Sequence, residues 1–264
     1  MSFVFANGIT LHYARDGAKT GSPLVFINAL GTDLHLWDAL IACLPRRFRV
    51  LRYDKRGHGL SDVPPAPYSL LDHTHDLAAL LERLQIDTSI LIGISVGGLI
   101  ALDYAGRYPG RVRALVLCDT CSRIGTPAGW SERIHAVREQ GLPKMADMLL
   151  ARWFAPAFAT SRPADFQGFA NMLLRTPQEG YLGTCAALRD ADLHETVSRI
   201  KMPSLVLGGA QDISTPPDLV RQLAEAMPHA RFRTIEAAAH LPCVEQPEAM
   251  AAIINPFLQE LEHV

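Results

Sequence analysis

A serine stands between two glycines directly after an apolar run, in the pentapeptide Gly93-Ile94-Ser95-Val96-Gly97. This G-x-S-x-G spacing is typical of a nucleophilic serine held in a tight turn between a strand and a helix. A turn that needs small residues only for packing is the alternative interpretation. Because an apolar strand pattern precedes the serine and a helical pattern follows it, the context that the motif requires is present and favours a nucleophile.

A serine hydroxyl attacks a carbonyl efficiently only when a base takes its proton and an acid orients that base. In the fold that carries G-x-S-x-G, the acid and the histidine follow the serine in that order along the chain. Asp212 comes directly after a late apolar run, and His240 comes after the last one. We therefore predict that Ser95, Asp212 and His240 form a catalytic triad.

Other titratable residues allow competing interpretations. Asp119 also ends an apolar run and is the alternative acid for the triad. Asp54, in YDKRGHGLSD, is interpreted as part of a structural turn at a strand end. The histidines His73 and His75 of HTHD are two residues apart, so they do not share a helix face and do not indicate a metal site. Since the cysteines and the other histidines form no cluster in the sequence, we predict no metal ion.

Regular elements that could position these residues follow from the apolar patterns. Residues 2–13 form two alternating runs around Asn7-Gly8, which predicts a β-hairpin. Further apolar runs predict strands buried on both faces, at 23–29, 48–54, 89–93, 113–119, 203–209 and 230–235. Helical patterns lie at 36–44, 71–84, 96–107, 217–226 and 246–262, the last with a kink or break expected near Asn255 because Pro256 follows. This alternation predicts an α/β fold with a mostly parallel eight-stranded sheet flanked by helices.

The alternation stops between residues 122 and 200. This stretch has no convincing strand pattern, and it shows helical stripes such as Trp130, Ile134 and Val137. It is also far too long for an ordinary connecting loop. We therefore predict a helical cap, residues 122–200, inserted into a core domain formed by residues 1–121 and 201–264.

Length and composition are those of an ordinary globular protein. The 264 residues are 48% hydrophobic and 20% charged, and the formal net charge is -2. This charge gives no reason to expect a nucleic acid or an anionic membrane as partner. Five scattered cysteines argue against a disulfide framework, and no apolar run is long enough to span a bilayer. Because the N-terminus also lacks a signal-peptide pattern, we expect a cytoplasmic protein.

The chain resembles the α/β-hydrolase family over essentially its full length, in YDKRGHGLSD, GISVGGLIAL and AAAHLPCVEQPE. More narrowly it resembles the 3-oxoadipate enol-lactonases of bacterial aromatic-compound breakdown, in INALGTDLHLWD, RWFAPAF and TPQEGYLGTCAALRDADL. The resemblance implies the α/β-hydrolase fold and opening of a lactone ring through an acyl-enzyme on Ser95, with no cofactor. Another carboxylesterase, a carbon–carbon bond hydrolase of the same fold, or a ligand sensor without turnover are the alternatives.

The resemblance also implies where the oxyanion of the reaction is held. Val96 begins the helix after the serine, so its N–H is one expected donor. The family's His-Gly-x-Gly loop aligns with Asn28-Ala29-Leu30-Gly31, which makes the backbone N–H of Leu30 the second donor. The sequence departs from the family pattern at its first two positions in this loop, whose side chains are not the donors.

The expected substrate carries one free carboxylate, and a chain with a net negative charge needs a local cation to bind it. Arginine suits this task because its planar fork can bind both carboxylate oxygens. The cap offers Arg133, Arg138 and Arg152. On a helix, Arg133 lies beside the stripe that contains Trp130, so we predict Arg133 as the carboxylate ligand, with Arg138 as the second choice. Trp130 and Trp153 are the predicted walls of the substrate pocket.

Overall fold

The computed structural model describes residues 2–262, and these residues contain one eight-stranded sheet. Its strands are β1 (Ser2–Ala6), β2 (Ile9–Gly17), β3 (Pro23–Ile27), β4 (Arg49–Tyr53), β5 (Ser89–Ile94), β6 (Val112–Cys118), β7 (Ser204–Gly209) and β8 (Ala230–Ile235). Their order across the sheet is β1-β2-β4-β3-β5-β6-β7-β8. The β1/β2 and β2/β4 pairs are antiparallel and the remaining pairs are parallel. The predicted mostly parallel sheet is confirmed.

The strands form where the sequence carries apolar runs or a turn signal. Asn7 and Gly8 connect β1 to β2 with positive φ angles of 50° and 77°, which is the backbone that an Asn-Gly hairpin turn requires. Strands β5 and β7 are buried along their whole length, as expected for the centre of a sheet covered on both faces. The parallel strands β3, β4, β5, β6, β7 and β8 all bring their carboxyl ends to the same edge of the sheet.

Helices occupy the connections that follow the strands. Before β6 these are α1 (Asp38–Cys43), α2 (Leu70–Arg83) and α3 (Val96–Arg107). Between β6 and β7 lie α4 (Pro127–Gln140), α5 (Leu142–Trp153), α6 (Phe158–Ser161), α7 (Pro163–Arg175), α8 (Gln178–Asp190) and α9 (His194–Val197). After β7 come α10 (Pro217–Ala226), α11 (Pro242–Glu245) and α12 (Pro247–Glu262). The helix α12 continues through Pro256, so it does not break near Asn255.

Within residues 119–203, all of which the structure describes, the regular elements are helices, in agreement with the absence of strand patterns there. Helix α4 begins at Thr126, whose hydroxyl accepts a hydrogen bond from the Gly129 N–H, and it ends at Gly141 with a φ of 78°. The division into a core of residues 1–121 and 201–264 and a cap of residues 122–200 stays a prediction.

Buried polar contacts tie the cap to the core beside His240. The carboxylate of Glu245 accepts a hydrogen bond from the Ala155 N–H at 2.8 Å and another from the Ala239 N–H at 2.7 Å. The Leu241 N–H donates to the carbonyl of Trp153 at 3.2 Å. The loop that carries the histidine is therefore fixed against the cap.

All five cysteines are free thiols. In the part of the chain that the structure describes, no helix is both long and apolar enough to cross a bilayer.

Candidate active site

Ser95 is the single residue between the end of β5 and the start of α3. Its φ of 57° and ψ of -122° lie outside the regions that side-chain-bearing residues favour, so the turn is strained. Its N–H donates to the Cys118 carbonyl at 3.0 Å, and its carbonyl accepts from the Thr120 hydroxyl at 2.9 Å. These contacts fix the serine backbone in a conformation that an unsupported turn would avoid.

The flanking glycines are required by the close approach of three backbone segments. A Cβ atom on Gly97 would lie 2.1 Å from the Ile27 carbonyl oxygen at the end of β3. A Cβ atom on Gly93 would lie 2.3 Å from the carbonyl oxygen of Gly97. Both oxygens are backbone atoms, which cannot move aside as the end of a flexible side chain can. A methyl group at either position would therefore push strand and helix apart.

Gly97→Ala should therefore lower both stability and catalytic activity. Overpacking of this kind costs about 1–3 kcal/mol, which corresponds to a Tm lower by roughly 3–10 °C for a chain of this size. Thermal unfolding and the rate of ester hydrolysis measure the two effects. Gly110→Ala is the matched control, because a Cβ atom there meets nothing within 4 Å. Equal Tm values for the two variants would contradict the packing role of Gly97.

Asp212 and His240 form a buried hydrogen-bonded pair. The Nδ1 atom of His240 lies 2.7 Å from Oδ2 of Asp212, which also accepts from the Thr215 hydroxyl at 2.6 Å. The other carboxylate oxygen accepts from the Ser214 N–H at 2.7 Å. Burial alone would raise the pKa of Asp212, but His240 and these hydrogen bonds hold it below its usual value. With Nδ1 bonded to a carboxylate, Nε2 is the nitrogen left to accept a proton.

Asp119, the alternative acid, lies near Asp212 and His240 but has different hydrogen bonds and a different pKa shift. Its Oδ1 atom accepts from the Gly209 N–H at 2.7 Å, while its Oδ2 atom is buried without a hydrogen-bond partner. Burial first, and then the negative charge of Asp212, raise the pKa of Asp119 well above its usual value. The surroundings of Asp119 therefore disfavour its charged form, whereas those of Asp212 favour a carboxylate beside the histidine.

Ligand atoms of Asp119, Asp212 and His240 lie within 4.8 Å of one another, a spacing that a cation could also use. The Nδ1 atom of the histidine is already hydrogen-bonded to Asp212, and burial raises the pKa of Asp119. We therefore interpret the cluster as an acid–base pair with a second carboxyl group beside it.

A cavity of about 500 Å³ lies between the sheet edge and the cap. Ser95 and His240 line it from the core, and Leu30 lines it from the loop after β3. The cap contributes mostly apolar side chains with two arginines and one glutamate, and its lining residues include Ile124, Trp130, Glu132, Arg133, Met145, Leu149, Arg152, Trp153, Tyr181 and Leu188. The structure thus brings the predicted nucleophile, base and substrate-binding tryptophans to one cavity, with Asp212 behind the histidine.

Of the two predicted oxyanion donors, Val96 follows the serine directly and Leu30 lines the same cavity as the serine. Val96 is fully buried and is the first residue of α3, where N–H groups have no acceptor within the helix. Leu30 lies in the cavity wall, and the adjacent Gly31 packs tightly against the cap, with its carbonyl accepting from Thr176 at 3.2 Å. A carbonyl group bound at Ser95 therefore has two candidate backbone donors.

The cap arginines differ in their placement. The guanidinium of Arg133 lies over the Trp130 ring, 4.8 Å from its centroid, and faces the cavity. Arg138 is exposed and does not line the cavity, which corrects its choice as second candidate. Five residues along a helix turn a side chain by about 140°, so Arg138 and Arg133 lie on different faces of α4.

Arg152 is the third cap arginine that the sequence analysis named, and it was not chosen there as a carboxylate ligand. It lines the cavity from α5, and its pKa is lowered by burial and by the nearby positive charge of Arg133. Among the described residues, neither arginine has an ion pair with a carboxylate. Tyr181, which also lines the cavity, interacts with Arg133. In RWFAPAF, Arg152 directly precedes Trp153, a predicted wall of the pocket, and this position is the sequence signal that favours Arg152 as a ligand.

A family model for the α/β hydrolase fold matches residues 22–247. The chain belongs to the α/β-hydrolase family. This membership agrees with the eight-stranded sheet seen in residues 2–262 and with the serine turn after β5.

Individual relatives of this α/β hydrolase have closely similar chains. The 3-oxoadipate enol-lactonase 2 of Acinetobacter baylyi is 37% identical over 254 residues, which are 96% of this chain and 95% of that protein. The crystal structure of the enol-lactonase from Burkholderia xenovorans LB400 is 35% identical with a TM-score of 0.95, covering 98% of this chain and 100% of that one. A thermophilic esterase from Thermogutta terrifontis is 29% identical with a TM-score of 0.93, covering 99% of both chains.

Proposed function

We propose that this α/β hydrolase opens the lactone ring of 3-oxoadipate enol-lactone to give 3-oxoadipate, as a step in the bacterial breakdown of aromatic compounds. One observation carries the proposal: the cavity at Ser95 and His240 also holds two arginines without carboxylate partners among the described residues. A neutral ester needs no such cations, whereas a lactone with a free carboxylate does. The two similar proteins named enol-lactonases support the same substrate.

Acylation follows from the arrangement of the triad. The Nε2 atom of His240 takes the proton of Ser95 as the serine oxygen attacks the lactone carbonyl, while Asp212 stabilises the imidazolium that forms. The N–H groups of Leu30 and Val96 stabilise the negative oxygen of the tetrahedral intermediate. Its collapse breaks the ring carbon–oxygen bond, and the imidazolium returns its proton to the enolate that leaves. The enol then tautomerises to the ketone.

Deacylation uses the same groups with water as the nucleophile. His240 takes a proton from water, whose oxygen attacks the ester carbonyl on Ser95. The second tetrahedral intermediate collapses with return of the proton to the serine oxygen. The product, 3-oxoadipate, has one more carboxylate than the substrate, and this new carboxylate forms beside the histidine. Every step uses side chains and backbone groups of this chain.

Arg133 and Arg152 are the proposed ligands of the substrate carboxylate. Both face the cavity, and the Trp130 ring beneath Arg133 fixes the orientation of its guanidinium. Because desolvation lowers the pKa of Arg152, an anion between the two guanidiniums would relieve an unfavourable arrangement of like charges. The arginines thus hold one end of the substrate while its lactone carbonyl faces Ser95.

Arg133→Ala should lower kcat/KM for the enol-lactone at least ~30-fold, because a desolvated charge-assisted pair is worth about 2–4 kcal/mol. A neutral p-nitrophenyl ester should be hydrolysed almost as fast as by the unchanged protein. Steady-state kinetics on both substrates measure the difference. Arg138→Ala, an exposed position on the same helix, is the matched control and should behave as the unchanged protein on both.

The two substrates together distinguish a role of Arg133 in binding the substrate from a role in supporting the cap. An equal loss on the lactone and on the neutral ester would show that Arg133 supports the cap instead of binding substrate. Unchanged kinetics on both substrates would place the guanidinium outside the reacting complex.

A carboxylesterase is the second candidate function, favoured by the likeness to the Thermogutta terrifontis esterase. A substrate panel of enol-lactones, aryl esters and dienoic acids separates the candidates by kcat/KM. The proposal expects the enol-lactone to exceed every simple ester in the panel. A preference for esters would support the second candidate, and turnover far below one per second on every compound would indicate a ligand sensor.

A further inference from the structure

Lys55 is a buried lysine directly behind the loop that carries Leu30. Its side chain is among the largest fully buried ones in the described residues, with a relative exposure of 1%. Its Nζ atom donates to the Ala29 carbonyl at 2.5 Å and lies 3.5 Å from the Thr32 carbonyl. Lysine is almost never fully buried unless it is paired, so this placement calls for a function.

The Ala29 carbonyl is the focus of several donors. Besides Lys55, the Thr32 hydroxyl donates to it at 3.0 Å and the Thr32 N–H at 3.4 Å. The Gly31 N–H donates to Nε2 of His58 at 3.0 Å, which fixes the following peptide as well. The backbone of this loop is therefore held from the core side by hydrogen bonds to buried groups.

Peptide geometry links this carbonyl to the proposed oxyanion donor. The Ala29 carbonyl and the Leu30 N–H belong to one planar trans peptide, in which the two groups point in opposite directions. Because Lys55 holds the carbonyl, the N–H points away from Lys55, and Ala29 and Leu30 both line the cavity. A carbonyl that accepts strong hydrogen bonds also polarises its peptide and makes the attached N–H a stronger donor.

We propose that protonated Lys55 orients and polarises the Ala29–Leu30 peptide, so that the Leu30 N–H stabilises the oxyanion formed at Ser95. Lys55 acts through this peptide and does not touch the substrate, so it is a positioning residue. The inference rests on the proposed function, because it needs an oxyanion at Ser95. It extends the site beyond the triad to a buried cation on the opposite side of the oxyanion loop.

The charge of Lys55 is sensitive to pH near neutrality. Burial lowers the pKa of Lys55 to about 7, although the carboxylates of Asp54 and Asp33 favour its charged form. The nearby His58 and His73 have pKa values well below the usual range because of burial, so they are neutral at pH 7. Lys55 therefore loses its charge as the pH rises through about 7, and the effect proposed for it is lost in the same interval.

Lys55→Met keeps the length of the side chain and removes its charge and its donors. We expect kcat at pH 6 to fall ~10-fold or more with KM changed less than ~3-fold, a smaller loss than direct removal of an oxyanion donor. The ratio of unchanged to variant kcat should then decrease as the pH is raised from 6 to 9. Lys201→Met, at an exposed lysine, is the matched control and should have unchanged kinetics.

Two results would overturn the proposal for a folded variant. A kcat equal to that of Lys201→Met would show that the charge is not used. A large loss with a ratio independent of pH would show that Lys55 only supports the fold. Thermal unfolding of the variants establishes whether the comparison is between folded proteins.

A second measurement needs no variant. Isotope-labelled lysine Cε atoms report the titration of the chain's four lysines by NMR. Benzeneboronic acid forms an anionic tetrahedral adduct with a nucleophilic serine, which boron NMR detects. If the oxyanion and Lys55 stabilise each other, adduct formation should raise the Lys55 titration midpoint by about one pH unit. An adduct with an unmoved midpoint would refute the role of Lys55, whereas the absence of any adduct would instead refute the proposed function.

Discussion

Replacement of Ser95 or His240 by alanine should lower kcat by at least ~10³-fold on both the enol-lactone and p-nitrophenyl acetate. Without the serine oxygen no acyl-enzyme forms, and without the imidazole neither the serine nor the attacking water is deprotonated. Both side chains line the same cavity, so neither replacement opens a gap in the core. Steady-state kinetics measure the loss, and thermal unfolding checks the fold.

The double variant adds a sharper criterion. Residues that act as one unit are strongly non-additive, so removing both side chains should cost about as much as removing either. Losses that multiply in the double variant would mean that the two residues act independently. Near-normal turnover by either folded single variant would remove that residue from the triad.

Asp212→Asn should lower kcat by ~10³-fold or more, whereas Asp119→Asn should cost less than ~10-fold. An amide at position 212 can offer its NH₂ group to the histidine, which favours the wrong tautomer and no longer stabilises the imidazolium. The Nδ1 atom of His240 is hydrogen-bonded to Asp212 instead of Asp119, and an amide oxygen at position 119 can still accept the Gly209 N–H. Kinetics of the two variants on one substrate make the comparison.

The two positions serve as controls for each other, because both side chains are buried in the same cluster and receive the same substitution. If Asp119→Asn proves the more damaging change, the acid of the triad belongs to the end of β6 and the present assignment is wrong. Equal large losses would show that the cluster titrates as one unit in which both carboxyl groups are required.

Most of the fold was predictable because the central strands carry continuous apolar runs, and β1 and β2 carry alternating ones around a turn sequence. The Asn7-Gly8 hairpin and the tight turn at Ser95 are local features that the residue types predict. Helix α12 illustrates the limit, since Pro256 predicts a disruption from local rules alone. The neighbouring Ile254, Phe257 and Leu258 are buried in the core, and this tertiary packing keeps a single helix through the proline.

The choice between Asp119 and Asp212 illustrates a second limit. Both follow adjacent parallel strands, so chain order alone places both carboxyl groups at the same sheet edge. The two carboxyl groups differ in their hydrogen bonds. Asp212 is hydrogen-bonded to Thr215, Ser214 and His240, whereas Asp119 accepts a hydrogen bond from one backbone N–H at one oxygen. Ser214 and Thr215 belong to the loop of Asp212 itself, but His240 lies 28 residues further along the chain, and no local pattern shows which of the two carboxyl groups it contacts.

The cap arginines and Lys55 also show that a role which depends on packing cannot be predicted from local sequence. Helical spacing placed Arg133 beside the apolar stripe, but the facing of Arg152 depends on how α5 packs against the rest of the cap. The sequence analysis assigns no role to Lys55, and only the fold shows that it lies beneath the oxyanion loop. Roles that depend on packing between distant segments are the ones that required the structure.

The central claim is that Ser95 forms an acyl-enzyme with an enol-lactone, and peptide mass spectrometry after rapid acid quench tests it most directly. Ring opening by serine expels no atom, so the peptide that contains Ser95 should gain the mass of one whole lactone during turnover. An ester substrate would instead leave only its acyl part on the same peptide. We expect the whole-lactone adduct on Ser95, and no adduct in Ser95→Ala. Rapid turnover of the lactone with Ser95 unmodified under conditions that trap an ester acyl group would contradict it.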